Sequence, residues 1–291
     1  MNGRVLRVER KLETAVRSIA LDFEWFYQAP AARKMIRLRR WRWPTVGCVL
    51  DREQLNEFAE RGFVLVPRAV SPELVAAASA VIEALIAAKP PGPDVRGPHN
   101  YFPESAQAPA LLALLTESPA FALAEGLAGR GTLEVPGQVQ VALNIPPFPH
   151  RPGMHHIDGA PAAADGRPGT FTLLAGVLMS DQPDDDAGNL WVWPGTHRRH
   201  AEYFREHGPD AFFAAAGYPP IQLPEPEQIR GRAGDLLLAH YLLGHNIGGN
   251  TSARTRRAVY FRVKRLGHDP RWREFLQNPW LDYDPVRAAL A

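Results

Sequence analysis

A histidine and an aspartate one residue apart, His156 and Asp158, are the residues whose types and spacing first suggest chemistry. In an extended strand, side chains two residues apart point to the same face, so the imidazole and the carboxylate would lie side by side. They would supply two of the three ligands of a 2-His-1-carboxylate site, the arrangement found in non-haem Fe(II) oxygenases. A His-x-Asp tripeptide alone is weak evidence, so the interpretation depends on a second histidine.

The second histidine must come from a distant part of the chain, and two candidates follow a buried-looking strand over residues 235–239. His245 lies after that strand and before a glycine turn. Opposite strands of a jelly roll would bring it back beside His156. His240 is the main competitor because it is nearer to the end of the strand. The residues by themselves leave both candidates open.

The other histidines are not expected to bind the metal. His155 would point away from the pair, because neighbouring residues of a strand face opposite sides. His197 belongs to a Pro-Gly-Thr-His turn that suits the start of a helix. The histidines expected at the surface are His200, His207 and His268.

Size and composition are those of an ordinary globular protein. The 291 residues suffice for one large domain or at most two, and 45% of them are hydrophobic and 22% charged. A net charge of +2 implies no attraction of the whole protein to nucleic acid or a membrane surface. No apolar run approaches the roughly 20 residues of a membrane span. The single cysteine, Cys48, excludes an internal disulfide and a cysteine-based zinc site, and it fits a cytoplasmic location.

The elements that must position these residues change in character along the chain. Residues 1–50 predict an N-terminal extension, with a helix over 13–28 and a basic segment with interleaved aromatic residues over 33–43. The basic segment either binds an anionic partner or packs its tryptophans on the main domain, and the small net charge favours packing. The main domain is expected over residues 51–291.

A helical block opens the main domain. Asp51 to Arg61 predicts a helix closed by Gly62, and Ser71-Pro72-Glu73 is a strong start for a second helix that runs to about residue 88. Two more helices are predicted over 108–115 and 119–128. The proline-rich stretch 89–103 predicts a loop, in which residues 99–102 either line a pocket or form a packed turn.

Short strands follow from about residue 133. They are predicted over residues 138–144, 171–179, 189–193, 235–239 and 258–263, with a helical insert over about 201–216. The continuous apolar run 171–179 suits a sheet that is covered on both faces. The sequence therefore predicts an α+β, mainly β fold, in which N-terminal helices brace a double-stranded β-helix, or jelly roll.

From Phe58 onward, over about 200 residues, the sequence resembles the phytanoyl-CoA dioxygenase family of Fe(II)/2-oxoglutarate oxygenases. Five segments carry the resemblance: Phe58-x-x-x-Gly62-Phe63-Val64-Leu65-Val66-Pro67, His156-Ile157-Asp158, Gly188 to His197, Gly234 to Leu238, and His245 to Ala258. In this family an arginine eleven residues after the distal histidine binds the C5 carboxylate of 2-oxoglutarate. Counting from His245 gives Arg256, whereas counting from His240 gives Thr251, so the resemblance selects His245.

The resemblance also implies roles for residues around the cosubstrate. A guanidinium suits a buried carboxylate because it forms two charge-assisted hydrogen bonds at once, which predicts Arg256 as the clamp. Asn144 matches a polar contact on the strand before the metal pair. Thr172 lies in a strand that often contributes a hydroxyl to the same carboxylate. Ile247 departs from the relatives that carry a contacting serine there, so that contact is not expected.

The implied protein is an oxygenase in which His156, Asp158 and His245 hold Fe(II). It would use 2-oxoglutarate and O2 to hydroxylate a small organic molecule, natural-product or lipid-like, with release of succinate and CO2. Because related halogenases have a small residue in place of the carboxylate, Asp158 predicts hydroxylation, desaturation, epimerisation or cyclisation. The loops expected to shape the substrate pocket are residues 89–106, 146–155 and 181–188. The alternatives are a non-catalytic jelly-roll binding protein and a Zn²⁺ hydrolase that uses the same ligands.

Overall fold

The computed structural model describes residues 49–160, 162 and 165–291. The predicted N-terminal extension, with its helix over 13–28 and its basic segment over 33–43, therefore falls almost entirely outside the described residues, as does Cys48. The boundary between this extension and the main domain stays a prediction.

The strands of the described residues form two antiparallel sheets, which bear out the predicted jelly roll. The strands are β1 Phe63–Val66, β2 Gly97–Tyr101, β3 Gln140–Ile145, β4 Leu173–Leu178, β5 Leu190–Val192, β6 Glu227–Gln228, β7 Leu236–His240, β8 His245–Ile247 and β9 Arg256–Val263. The larger sheet has the order β1-β7-β4-β9-β3-β2, and the smaller has the order β6-β5-β8. All of β4 is buried, as the continuous apolar run predicts for a strand covered on both sides.

Strand alternation divides the residues of β9 between two faces. Asn144 of β3 lies opposite Arg256, and Leu174 of β4 lies opposite Arg262, so these four residues share one face of the sheet. Arg257 points the other way and forms an ion pair with Glu83, at 2.5 Å from Nη1 to Oε1. The face that carries Arg256 and Arg262 is the inner face of the jelly roll.

Helices cover the outside of the larger sheet and extend to the C-terminus. They are α1 Arg52–Arg61, α2 Pro72–Ala88, α3 Pro109–Thr116, α4 Ala120–Ala128, α5 Thr196–His207, α6 Ala211–Ala214, α7 Trp272–Gln277 and α8 Asp284–Leu290. The insert predicted over 201–216 is thus two helices, of which α5 begins at the turn that contains His197. In the described part of the chain no single helix has both the length and the apolar composition of a membrane span, although α3 and α4, bent by 54°, meet both criteria as a pair.

One prediction about the helical block is wrong. The stretch 89–103 is not all loop, because residues 97–101 form β2 and pair with β3. The strand was not predicted because prolines are typical of loops and are disfavoured within strands. Since β2 is an edge of the larger sheet, Pro98, which has no N–H to donate, is tolerated there.

Gly62 ends α1 in the left-handed conformation, with φ +83°, and its N–H donates to the carbonyl of Phe58. A Cβ at this position would lie 2.5 Å from Nδ1 of buried His197. Glycine is therefore favoured at this position for two reasons: it adopts the left-handed conformation easily, and it leaves room for the His197 ring.

Gly62→Ala is expected to lower the free energy of unfolding by more than the about 1–2 kcal/mol that a left-handed residue alone costs. The excess comes from the clash with His197. Urea unfolding measures the loss. Gly131→Ala is the matched control, because Gly131 also has positive φ but nothing lies within 4 Å of the added Cβ. Equal losses in the two variants would contradict the packing argument.

Candidate metal centre

His156, Asp158 and His245 converge on one point at the inner edge of the smaller sheet. Oδ1 of Asp158 lies 3.6 Å from Nε2 of His156 and 3.7 Å from Nε2 of His245. The Asp158 side chain is 4% exposed, whereas those of His156 and His245 are 19% and 13% exposed. Two imidazoles and one carboxylate therefore meet at a site that opens to solvent on one side.

Backbone hydrogen bonds fix the three residues relative to one another. His156 and His245 form an antiparallel bridge, in which each N–H donates to the other's carbonyl at 2.9 and 3.1 Å. The N–H of Ile157 donates to the carbonyl of Gly217 at 2.8 Å, and the hydroxyl of Tyr241 donates to the carbonyl of Asp158 at 2.8 Å. The bridge explains how distant segments of the chain bring their ligand atoms together.

The structure places His245, and not His240, at the candidate centre. His240 is buried on the other face of β7, where its Nε2 donates to the carbonyl of Pro279 at 2.7 Å. Its Nδ1 accepts from the N–H of Leu242 at 2.9 Å. At His245, Nδ1 lies 3.0 Å from the carbonyl of Leu243, so Nδ1 carries the proton and Nε2 keeps a lone pair for a metal.

The electrostatics of the site favour the charge states that a metal requires. Burial, together with the nearby His245, lowers the pKa of His156, so its imidazole is neutral. Burial by itself would raise the pKa of Asp158, but the adjacent Arg262 guanidinium and the two histidines hold it well below the usual value. Asp158 is therefore an ionised carboxylate next to two imidazoles.

His155 and His200 form a buried pair behind the metal ligands. Their Nε2 atoms are 2.7 Å apart, and Nδ1 of His200 lies 2.6 Å from the carbonyl of Leu242. Burial, followed by the mutual proximity of the rings, lowers the pKa of His200 to about 3. The prediction that His155 turns away from the metal pair is confirmed, whereas the prediction that His200 lies at the surface is wrong.

Arg256 is 3% exposed and lies on the inner face of β9. Its Nε donates to the carbonyl of Gly188 at 2.5 Å, and Nη1 lies 3.4 Å from the carbonyl of Ala142. Gly188 is packed so closely that a Cβ there would lie 2.7 Å from Cβ of Arg256 and 3.1 Å from Cβ of Asn144. These contacts hold the guanidinium stem and leave its outer edge for a ligand, which suits the predicted clamp on a carboxylate.

Asn144 is fully buried directly opposite Arg256. Its Nδ2 donates to the carbonyl of Gly248 at 2.9 Å, while Oδ1 has no hydrogen-bond partner among the described residues. An amide in this orientation presents an acceptor and not a donor to a carboxylate. The predicted contact between Asn144 and the cosubstrate would therefore require the amide group to turn over.

Thr172 does not lie beside Arg256, which corrects the role predicted for it. Its hydroxyl donates to Oδ2 of Asp282 at 2.8 Å and accepts from the N–H of Arg265 at 2.8 Å, beyond the opposite end of β9. Nδ1 of His268 lies 2.6 Å from the same carboxylate oxygen. All of Thr172, Asp282 and His268 are buried, so His268 is also not the surface residue that was predicted. This network fastens the C-terminal segment to β4.

Sequence reasoning missed two residues at the centre. Arg262 donates from Nε to Oδ2 of Asp158 at 3.0 Å, and its Nη2 lies 2.8 Å from the same oxygen in an ion pair. Its even spacing from Arg256 along one strand was the available signal, because residues six apart share a face. Tyr218 is 37% exposed, and its ring centre lies 6.0 Å from that of His156. It follows a loop with no motif, so no sequence signal pointed to it.

The residues fit a first-row divalent metal. With bonds of about 2.1 Å, adjacent ligand atoms around such an ion lie about 3 Å apart. The observed separations of 3.6 and 3.7 Å therefore need a contraction of less than about 1 Å. Two histidines and one carboxylate with an open side match the facial triad of non-haem Fe(II) enzymes. In the described part of the chain this is the one such group of His, Cys, Asp and Glu side chains.

Thr172→Val is expected to lower the free energy of unfolding by about 1–3 kcal/mol, because it removes one hydrogen bond from Asp282, which keeps His268, and leaves the Arg265 N–H without a partner. The affinity for 2-oxoglutarate should stay at the wild-type value. Chemical unfolding and anaerobic ligand titration measure the two effects separately. A stable variant with weak 2-oxoglutarate binding would restore the role predicted from the sequence.

His240→Gln is expected to keep the affinity for metal and to change the dependence of stability on pH. Burial lowers the pKa of His240 from 6.5 to about 4, so the unfolded chain binds the extra proton between these values. The stability that neutral His240 contributes is thus fully present above pH 6.5 and is lost as the pH falls towards 4. Between pH 4 and pH 6.5, the free energy of unfolding of the variant should rise less steeply with pH than that of the wild type. The difference in slope is up to about 1.4 kcal/mol per pH unit, which corresponds to one proton. Urea unfolding across this range checks it, with exposed His207→Gln as the control.

Comparison with known proteins places the fold. The solved carbocyclase SnoK, described as non-heme and alpha-ketoglutarate-dependent and from nogalamycin biosynthesis, is 24% identical over 72% of this chain and 82% of its own, with a TM-score of 0.54. HygX from Streptomyces hygroscopicus, with nickel and 2-oxoglutarate bound, is 18% identical over 74% of this chain and 87% of its own, also at 0.54. HygX with hygromycin B also bound scores 0.51 at 19% identity, with the same coverage. These similarities confirm the jelly-roll fold.

A family match agrees with the resemblance drawn from the sequence. The family model described as phytanoyl-CoA dioxygenase (PhyH) matches residues 150–258. No curated protein matches the chain. The matched region contains the three candidate ligands and Arg256, so this part of the chain is similar to the phytanoyl-CoA dioxygenase family.

Proposed function

We propose that the protein oxidises a small organic molecule, by hydroxylation in the simplest case, and releases succinate and CO2 from 2-oxoglutarate. The observation that supports this most is the joint arrangement of two sites. His156, Asp158 and His245 offer three ligand atoms on one side, and buried Arg256 offers a guanidinium on the same inner face of the jelly roll. A dicarboxylate that chelates the metal at one end needs a cation for its other end.

Each residue has a task that follows from its contacts. Bound Fe(II) would supply the oxygen activation. His156, Asp158 and His245 would hold the metal on one face and leave its other positions for 2-oxoglutarate, O2 or water. Arg256 would bind the C5 carboxylate of 2-oxoglutarate through the edge of its guanidinium that does not contact Gly188. Apolar side chains next to His245 would exclude water, among them Leu174, Leu190, Val192, Ala239 and Leu243.

The substrate would enter from the side of the centre where Tyr218 lies beside His156. Retention of the Asp158 carboxylate favours hydroxylation, desaturation, epimerisation or cyclisation over halogenation. HygX holds hygromycin B in one of its structures, which accords with a small-molecule substrate of natural-product type for this chain. We retain the predictions of a cytoplasmic location and of no nucleic-acid partner, which rest on composition alone.

The two alternative functions leave observations unused. A Zn²⁺ hydrolase needs a general base near the metal. Among the described residues, the cluster consists of two imidazoles and one carboxylate, and no further side chain of these types joins it as a base. It also gives buried Arg256 no task. A binding protein without turnover has no need of an open facial triad and a cation together.

Arg256→Ala is expected to weaken 2-oxoglutarate binding about 100-fold, because a buried charge-assisted pair is lost, while the affinity for metal stays nearly constant. Anaerobic titration of the Fe(II) protein with 2-oxoglutarate measures the first effect. Titration with Fe(II) alone measures the second. Conversion of 2-oxoglutarate to succinate without substrate should fall in parallel.

Arg257→Ala is the matched control, since Arg257 neighbours Arg256 on the opposite face of β9 and pairs with Glu83 at the surface. It should bind 2-oxoglutarate like the wild type. A wild-type Fe(II) protein that neither binds nor converts 2-oxoglutarate would refute the proposed function. An Arg256→Ala variant that loses metal but keeps 2-oxoglutarate would refute the role of this arginine.

A further inference from the structure

The two oxygens of Asp158 have different partners. Oδ1 faces the Nε2 atoms of both histidines, at 3.6 and 3.7 Å. Oδ2 accepts a hydrogen bond from Nε of Arg262 at 3.0 Å and lies 2.8 Å from Nη2 of the same guanidinium in an ion pair. The carboxylate is thus oriented before any metal binds, with one oxygen directed to the metal position and the other occupied by a cation.

Arg262 is itself held in place across three strands. Its Nη1 donates to Oε1 of Gln140 on β3 at 2.8 Å, and Nε2 of Gln140 donates to Oδ1 of Asn100 on β2 at 3.0 Å. The guanidinium also lies 5.7 Å from the ring centre of Phe171. Side chains that are fixed on sheet strands in this way position a metal ligand more precisely than side chains on a loop do.

The partner of Oδ2 decides how many coordination positions Asp158 occupies. A carboxylate with a free second oxygen can bind a metal through both oxygens. In a facial triad, that second bond would take a position that a chelating cosubstrate needs. A guanidinium on Oδ2 prevents it, because the same oxygen would have to leave a charge-assisted hydrogen bond and an ion pair with Arg262.

We propose that Arg262 is a positioning residue that keeps Asp158 bound to the metal through Oδ1 alone and so preserves an open coordination position. Its effect on the metal itself is independent of the reaction, whereas its benefit to 2-oxoglutarate rests on the proposed function. Arg262 acts through Asp158 and touches neither the metal nor the cosubstrate in this scheme.

Cobalt(II) tests the proposal, because its visible spectrum reports the ligands around it and it does not oxidise as Fe(II) does. In Arg262→Met, the spectrum of the Co(II) protein without 2-oxoglutarate should change, since a carboxylate oxygen replaces a water. The affinity for Co(II) should be equal or higher, because a nearby positive charge is gone. The affinity of the Co(II) protein for 2-oxoglutarate should fall about tenfold or more.

Conservative variants separate positioning from damage to the fold. Arg262→Lys keeps a cationic donor for Oδ2 and should restore 2-oxoglutarate affinity to within about threefold of the wild type. Gln140→Leu leaves the ion pair but removes its support, and it should weaken 2-oxoglutarate binding in the same direction by about two- to threefold. Thermal unfolding of each variant checks that the protein is folded.

The pattern of results decides between the possibilities. Arg256→Ala should weaken the binding of 2-oxoglutarate but should not change the spectrum of the Co(II) protein without 2-oxoglutarate. The two arginine variants are therefore distinguished by that spectrum. If Arg262→Met loses Co(II) and 2-oxoglutarate affinity together, or changes neither the spectrum nor either affinity, the positioning role is refuted. If the wild-type Co(II) protein does not respond to 2-oxoglutarate, the proposed function fails, and the metal-only spectrum of Arg262→Met still decides the role of Arg262.

Discussion

Burying the Asp158 carboxylate is the constraint on which the rest of the site depends. An ion moved out of water loses several kcal/mol of hydration, and it stays charged only where partners replace that hydration. Here Arg262 is the partner of one oxygen, and the other oxygen faces the two imidazoles across the candidate metal position. Arg262 in turn is a partly buried cation, and it is held by Gln140 and, through it, by Asn100. The candidate triad, one member of which is on the smaller sheet, is thus connected to three strands of the larger sheet.

Parts of this arrangement follow from residue spacing, because strand geometry is regular. The alternation of side chains predicts that His156 and Asp158 share a face and that His155 points away from it, and the structure agrees. The same alternation would have placed Arg262 on the same face of the strand as Arg256. The choice of His245 over His240 needed a family resemblance, because two histidines close in sequence differ only in where the chain turns.

Other parts depend on contacts between segments that are distant in sequence. His200 and His268 are polar residues with no apolar neighbourhood to mark them, and they are buried because His155 and Asp282 supply partners. Thr172 looked like a cosubstrate contact because its strand suits one, but the C-terminal segment takes its hydroxyl. Single-residue reasoning does not find such pairs, since each partner is ordinary by itself.

The inner face of β9 has a consequence for engineering the substrate range of the proposed oxygenase. Arg256 and Arg262 are committed at its two ends, and between them the Tyr260 ring lies so close to Gly176 that an added Cβ would stand 2.6 Å from it. Of the four inward-facing residues of β9, Ala258 is the one without a side-chain contact of the kinds just described. A directed-evolution library for new substrates would therefore gain little from the sheet. Its diversity belongs in the loops around Tyr218 and over residues 146–154 and 181–187, which leave out His155 and Gly188, the residues that pack against His200 and Arg256.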